Sequence, residues 1–279
     1  MAEYQLYCFA QSGNAYRCAL MLNLIGADWE PIWVDFFAKG EQRSPEYRAN
    51  VNEMGEAPVL VHGDKKLSQS GVILTYLSDR SGKFRPDGED ERLEALRWII
   101  FDNQKVNGFL GPYRFLRFLS KPPGDPAVLA FLKGRIDNNL AIVDKRLSTR
   151  PFVLGARPTI ADLSLAAYLY YPADEFGFDI PGQHKHIAVW LDRIKALPGW
   201  KHPYDLMPGH PLPGRSRSFA RCVGARALIW LSDHDVCGMK LSHLMVRSRA
   251  WRGVSNHEGT QVERWPPHPS RRSLRSPSG

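Results

Sequence analysis

Long apolar runs are missing from this 279-residue chain. No stretch of about 18 consecutive apolar residues occurs, so a membrane-spanning helix is not expected. Cysteine is scarce: Cys8, Cys18, Cys222 and Cys237 form no CxxC pair. That excludes a disulfide-built scaffold at this length and suits a reducing cytosol. The start, Met1-Ala2-Glu3-Tyr4, lacks a basic region followed by an apolar run, so no secretory leader is expected and the location is read as cytoplasmic. Phosphate-cradling GxxxxGK[ST], zinc-binding HExxH and EF-hand loops are absent too.

A charge excess of one sign is missing from most of the chain. The 37 Lys+Arg and 29 Asp+Glu give +8. Residues 214–279 hold 12 basic and 4 acidic residues, which accounts for all of it, and residues 1–213 hold 25 of each. The body of the protein is neutral, and the overall basicity carries no information about what it binds.

What is present is a change of pattern along the chain. Residues 4–9 read as a strand, Ala15 to Ile25 as a helix stopped by Gly26, and Glu30 to Phe36 as a second strand. A β-α-β order implies a parallel pair with a right-handed crossover. A short helix over Ser44–Asn50, a hairpin of Val59–Val61 and Lys65–Leu67 about Gly63-Asp64, and a helix over Ser70–Ser78 follow. From Glu89 to about Ala196 the pattern is helical. The clearest case is Val128, Leu132, Ile136, Leu140, Val143 and Leu147, at 3–4 spacing. The expected organisation is an α/β domain over 1–79, a polar linker over 80–90, an all-helical domain over 91–207 and an irregular basic extension over 208–279. The extension is rich in Arg, Ser, Gly and Pro and is expected to be mostly disordered.

The chemistry concentrates at the first strand-to-helix joint, Phe9-Ala-Gln-Ser12-Gly-Asn14. The first amides of a helix lack intrahelical partners and carry partial positive charge, so they favour an anion. A serine there adds a hydroxyl donor, which would favour a bound thiolate over the thiol; the thiolate is the nucleophile. The plainer reading is a capping serine. Glu56-Ala57-Pro58-Val59-Leu60 opens a strand on a proline, and a cis Ala57–Pro58 bond would turn the Ala57 backbone outward to pair with an extended peptide. Gln69-Ser70 opens the next helix, where Ser70 caps it and its amides suit a carboxylate.

Together "SGNAYRCAL", "GEAPVL", "LSQSGVILTYL" and "GARPTIADLSLA" resemble the soluble glutathione transferases, of the bacterial type with a serine at the catalytic position, over residues 4–207. The resemblance implies an α/β + all-α fold, with a thioredoxin-like N-terminal domain that binds glutathione and a helical C-terminal domain that forms the electrophile pocket. It implies a cytoplasmic, detoxifying homodimer. The activity it implies is conjugation of the glutathione thiolate to a hydrophobic electrophile, with glutathione as co-substrate and no metal or redox cofactor. A binding or regulatory protein that keeps the fold without catalysis is the alternative.

By motif position, Ser12 would stabilise the thiolate, with Asn14 as its neighbouring substitute. Ala57, presented by Pro58, would pair with the cysteinyl backbone. Gln69 and Ser70 would hold the γ-glutamyl end, although Gln69 lacks the charge of the family's usual Glu. Asp102 lies where some classes lend an acid to the partner's γ-glutamyl amine; a solvated helix-face Asp is the bland alternative. Phe109 and Tyr113, in a cluster with Phe115 and Phe118, would face the electrophile; plain core packing is the alternative.

Other residues read as structural. Thr159-Ile-Ala-Asp162 matches a capping box, worth about 1–2 kcal/mol. Cys8 reads as core, with a thiol-reactive site as its alternative; Tyr4 and Tyr7 are the tyrosines that could supply a hydroxyl in place of Ser12, and Tyr7 lies too far inside the strand to be preferred. Cys222, His234, Cys237 and His243 match no zinc spacing. Arg271-Arg272 reads as a solvated basic run, and no nucleic-acid or membrane partner is expected.

Overall fold

The computed structural model describes residues 2–212. The expectations for the basic extension beyond Leu212, including Cys222, His234, Cys237, His243 and Arg271-Arg272, lie outside the described residues.

Strand β1 (Tyr4–Cys8) pairs in parallel with β2 (Trp29–Trp33), Tyr4 opposite Trp29 and Cys8 opposite Trp33. On its other side β1 pairs antiparallel with β3 (Val59–His62), Leu6 opposite Leu60, and β3 turns back into β4 (Lys65–Ser68). The sheet order is β2-β1-β3-β4. Pro31 is tolerated because β2 is an edge strand. The alternating stretch Glu30–Phe36 leaves the sheet earlier than its pattern suggests. After Trp33 only the Val34 N–H still reaches Cys8 O, at 3.0 Å, and the chain then peels away through Asp35–Phe37.

Helix α1 (Gly13–Ile25) is buried on nearly its whole circumference, which explains why its sequence shows no clean apolar stripe. One side lies on the sheet with α3 (Ser70–Ser81), and the other faces the helical domain. Gly26, at φ 71°, ends α1 in the left-handed conformation that glycine adopts without strain. Between the sheet strands, α2 (Pro45–Asn50) is capped by Ser44 Oγ, which accepts from Tyr47 N at 3.1 Å.

The second domain is all helical. Helix α4 (Gly88–Phe101) runs through a π-turn at Asp102–Val106 into α5 (Asn107–Arg114), and a second π-turn covers Phe115–Leu119. Helix α6 (Pro126–Leu147) buries Leu132, Ile136, Leu140, Val143 and Leu147, the stripe its spacing predicts. Helix α7 (Ile160–Ala166) is entirely buried, and α8 (Ala173–Phe176), α9 (Ile180–Gln183), α10 (Lys185–Lys195) and α11 (Pro203–Leu206) close the domain. One apolar core runs from β1 through α1 into α6, α7 and α10. Among the described residues no helix is long and apolar enough to cross a membrane.

Candidate active site

The joint read from the sequence is a helix N-terminus held open to a cavity. Ser12, only 6% exposed, is the N-cap of α1, and its Oγ accepts from Ala15 N at 3.1 Å. The capping role therefore holds. It uses the oxygen as acceptor and leaves the hydroxyl hydrogen to donate elsewhere. The N–H groups of Gly13 and Asn14 belong to the orphan first turn. Ser12 and Asn14 both line a cavity of about 770 Å³. The Asn14 Oδ1 is buried with no hydrogen-bond partner.

The loop that carries Ser12 is clamped by the helical domain. Ala10 O accepts from Tyr171 Oη at 2.7 Å, and Gln11 O accepts from Arg114 Nη1 at 2.7 Å. Ala10 N donates to Pro208 O and Gln11 Nε2 to Gly209 O, each at 2.8 Å. Arg114 is itself fixed by Glu175 at 2.6 Å and by Tyr204 Oη at 2.8 Å, and its guanidinium lies 3.8 Å from the Tyr171 ring centre. Sequence reading missed Arg114, Tyr171 and Glu175, because long-range pairing to backbone carbonyls leaves no local pattern.

On the opposite wall the Ala57–Pro58 bond is cis, and Ala57 lines the cavity. The loop before it is pinned through Glu56 O, which accepts from Tyr47 Oη at 3.1 Å and Asn52 Nδ2 at 3.0 Å. Gln69, at φ 67°, takes the N-cap place of α3 that the sequence assigns to Ser70. Ser70 is instead the first helical residue and is buried. Gln69 Nε2 donates to Glu56 Oε2 at 3.1 Å. A carboxylate therefore stands beside position 69, on Glu56, which also lines the cavity.

Three expectations are corrected. Asp102 neither reaches toward a partner nor faces solvent. It is fully buried, 2.9 Å from Arg17 Nη1, and accepts from Ser164 Oγ at 2.6 Å. Asp102 continues the buried face of α4, three and four residues after Ile99 and Trp98. Phe109 and Tyr113 are not part of the apolar wall either: Phe109 packs on the core, and Tyr113 is buried edge-on to Phe178. The wall is built from Phe9, Phe36, Phe37, Phe115 and Leu119. Phe37 and Phe115 stack across the two domains, with centroids 6.4 Å apart and planes 14° apart. The early exit of the chain from β2 is what delivers Phe36 and Phe37, so the signal was the misfit between their strand-like pattern and the strand's end.

Cys8 is core: it is fully buried, and burial pushes its thiol up to about 12. Tyr4 packs on His62 and Tyr7 on Tyr47, and neither lines the cavity.

Fold and cavity together define a two-domain protein in which a thioredoxin-like domain presents a cleft, with a helix N-terminus at its base, to an all-helical domain. Known proteins give the family. The model of the glutathione S-transferase N-terminal domain matches residues 2–79, and that of the C-terminal domain matches residues 126–193. Glutathione S-transferase 1 of Dianthus caryophyllus is 30% identical over 184 residues, covering 64% of this chain and 81% of its own. The crystal structure of a glutathione S-transferase from Pseudomonas fluorescens is 31% identical, with a TM-score of 0.67 over 72% of this chain and 99% of its own. Another family member from Pseudomonas fluorescens, solved with two glutathione bound, is 26% identical, with a TM-score of 0.61 over 71% of this chain and 90% of its own. The chain belongs to the glutathione S-transferase family of enzymes.

Proposed function

We propose that this protein binds glutathione in the cavity and joins its thiolate to a hydrophobic electrophile. The single observation that carries the reading is the placement of Ser12. It is an N-cap whose hydroxyl hydrogen is unspent, lining a cavity that is also lined by polar groups and by phenylalanines. On this reading the Ser12 hydroxyl donates to the sulfur, and the first-turn amides of α1 favour its negative charge. Ala57 pairs with the cysteinyl backbone beside cis-Pro58. Gln69, Ser70 and Glu56 take the γ-glutamyl end, Glu56 facing its ammonium. Phe36, Phe37 and Phe115 hold the apolar electrophile.

In the reaction, the sulfur lone pair forms the new S–C bond. An aryl halide then expels halide with the bonding pair. An enone instead moves its π electrons toward the carbonyl and takes a proton from water. Holding both reactants in one cavity supplies the proximity term of catalysis, and no metal or redox cofactor enters the scheme. A homodimer in the cytoplasm belongs to the same proposal. Its support is the exposed apolar face made by Val72 on α3 and Leu93, Leu96 and Ile100 on α4.

The test is turnover with glutathione against a panel of aryl halides and enones, for wild type and Ser12→Ala. The expected outcome is at least a tenfold fall in kcat/KM below the thiol pKa, equivalent to one pKa unit. Equal rates eliminate Ser12 as the sulfur's partner. Calorimetry that detects no glutathione binding removes the whole reading.

A further inference from the structure

Ser12 is not the only hydroxyl in the cavity. Tyr168 also lines it, from the tight turn Ala167–Tyr170 that follows α7. Its ring is seated between two glycines on different helices. A Cβ on Gly13 would fall 2.4 Å from Tyr168 Cδ2 and Cε2, and one on Gly111 would fall 3.1 Å from the hydroxyl oxygen. Both α1 and α5 have given up a side chain where this ring passes.

The neighbouring tyrosines spend their hydroxyls on protein acceptors. Tyr16 donates to Lys201 O, Tyr170 to Leu191 O, Tyr171 to Ala10 O and Tyr204 to Glu175. The Tyr168 hydroxyl has no such acceptor among the described residues. The Gly13 N–H, in the first turn of α1, acts on the hydroxyl in the sense that favours negative charge on its oxygen. A hydroxyl that meets no protein acceptor keeps its hydrogen for something else, and a largely buried one needs an acceptor. Tyr168 is 8% exposed, and the residues that share its cavity include Ser12 and Asn14. Burial raises its pKa, with Arg114 and Arg17 acting in the opposite sense. The proton therefore stays on the oxygen at neutral pH, and the group acts as a donor and not as a base.

We propose that Tyr168 is a second catalytic hydroxyl, which donates a hydrogen bond to the glutathione sulfur alongside Ser12. The inference rests on the transferase reading above. It assigns the stabilisation of the thiolate to one hydroxyl from each domain, so the site is complete only when the helical domain is docked on α1.

The experiment is a pH titration of the bound thiol by its thiolate absorbance, together with the pH profile of kcat/KM. It is done on the full chain as wild type, as Tyr168→Phe and with 3-fluorotyrosine placed at 168. Tyr168→Phe keeps the ring between the two glycines and removes only the hydroxyl. The expected result is a rise of about one unit in the thiol pKa, a tenfold loss of thiolate at any pH well below it. The more acidic fluorinated hydroxyl is expected to lower the thiol pKa instead. A purely structural ring would move neither value. If wild type lowers the thiol pKa and both variants leave it where wild type does, Tyr168 has no part and the transferase reading stands. If glutathione bound to wild type ionises as it does in free solution, both readings fall.

Discussion

Arg17 Nη1 stands 2.9 Å from Asp102 Oδ2, with both side chains fully buried where α1 meets the helical domain. Ser164 Oγ, 2.8 Å from the same nitrogen, donates to the same carboxylate oxygen, and Asn103 Oδ1 lies 3.3 Å from Arg17 Nη1. A buried pair returns little net stability, but removing one member strands the other's charge. Asp102→Ala is expected to cost about 3–5 kcal/mol in urea unfolding. Replacing both partners, as Arg17→Met with Asp102→Leu, is expected to cost less than that single change. A single mutant as stable as wild type would show that the pair does not hold the domains.

The seat of Tyr168 gives a second expectation. Gly13→Ala places a methyl 2.4 Å from the Tyr168 ring, which has no flexible end to yield. Overpacking of this kind costs about 1–3 kcal/mol. Because Gly13 adjoins Ser12, kcat/KM is expected to fall together with thermal stability. Full activity and an unshifted Tm would mean that the ring can leave.

Asp162 closes the capping box but serves more donors than a cap requires. Thr159 N donates to Oδ2 at 2.8 Å, while Val153 N at 2.8 Å and Trp190 Nε1 at 2.9 Å donate to Oδ1. The carboxylate joins α7, α10 and the loop before α7. Asp162→Ala leaves these buried donors unpaired at about 1–3 kcal/mol each, so the expected loss exceeds about 3 kcal/mol, above a simple cap. Chemical unfolding measures it, and a loss under about 1 kcal/mol would reduce Asp162 to an ordinary cap.

Acid stability offers a fourth check. Hydrogen bonds from Arg97, with further help from Trp98 and Arg146, hold the Glu94 carboxyl at about 2, against an ordinary 4.5. A carboxyl depressed in the folded state contributes stability that is fully present above the unfolded pKa. That stability is lost as the pH falls from about 4.5 to about 2. Glu94 is partly solvated, so the contribution is under about 1 kcal/mol. Glu94→Gln is expected to flatten Tm against pH in that window. A slope identical to wild type would remove the assignment.

Much of this was legible in the chain. The β-α-β opening, the hairpin, the long stripe of α6 and the capping box are local patterns, and each forms where its spacing places it, apart from the early end of β2 at Trp33. Ser12, Asn14, Ala57 and Gln69 converge on one cavity because each sits at the end of such an element. What the chain did not declare depends on distance or on irregular backbone. Helix α3 continues to Ser81 through residues that read as linker, since Ser and Asp there end a helix as readily as they precede one. Asp102 lies on the buried face of α4 with Trp98 and Ile99, but the partner that lets a carboxylate sit there, Arg17, is on a distant helix. Phe115 lines the cavity, whereas Phe109 packs partly buried on the core and Tyr113 is buried, a division that the shared aromatic cluster does not show in the sequence. Glu56 gained significance only through contact with Gln69, thirteen positions away.

Pro208 and Gly209 are stitched to Ala10 and Gln11, and Leu212 borders the same aromatic wall as Phe9. Trimming the chain back past residue 208 therefore removes support from the loop that carries Ser12, although the cut lies almost two hundred residues downstream. A shortened form ending at Met207 is expected to lose turnover before it loses its helices.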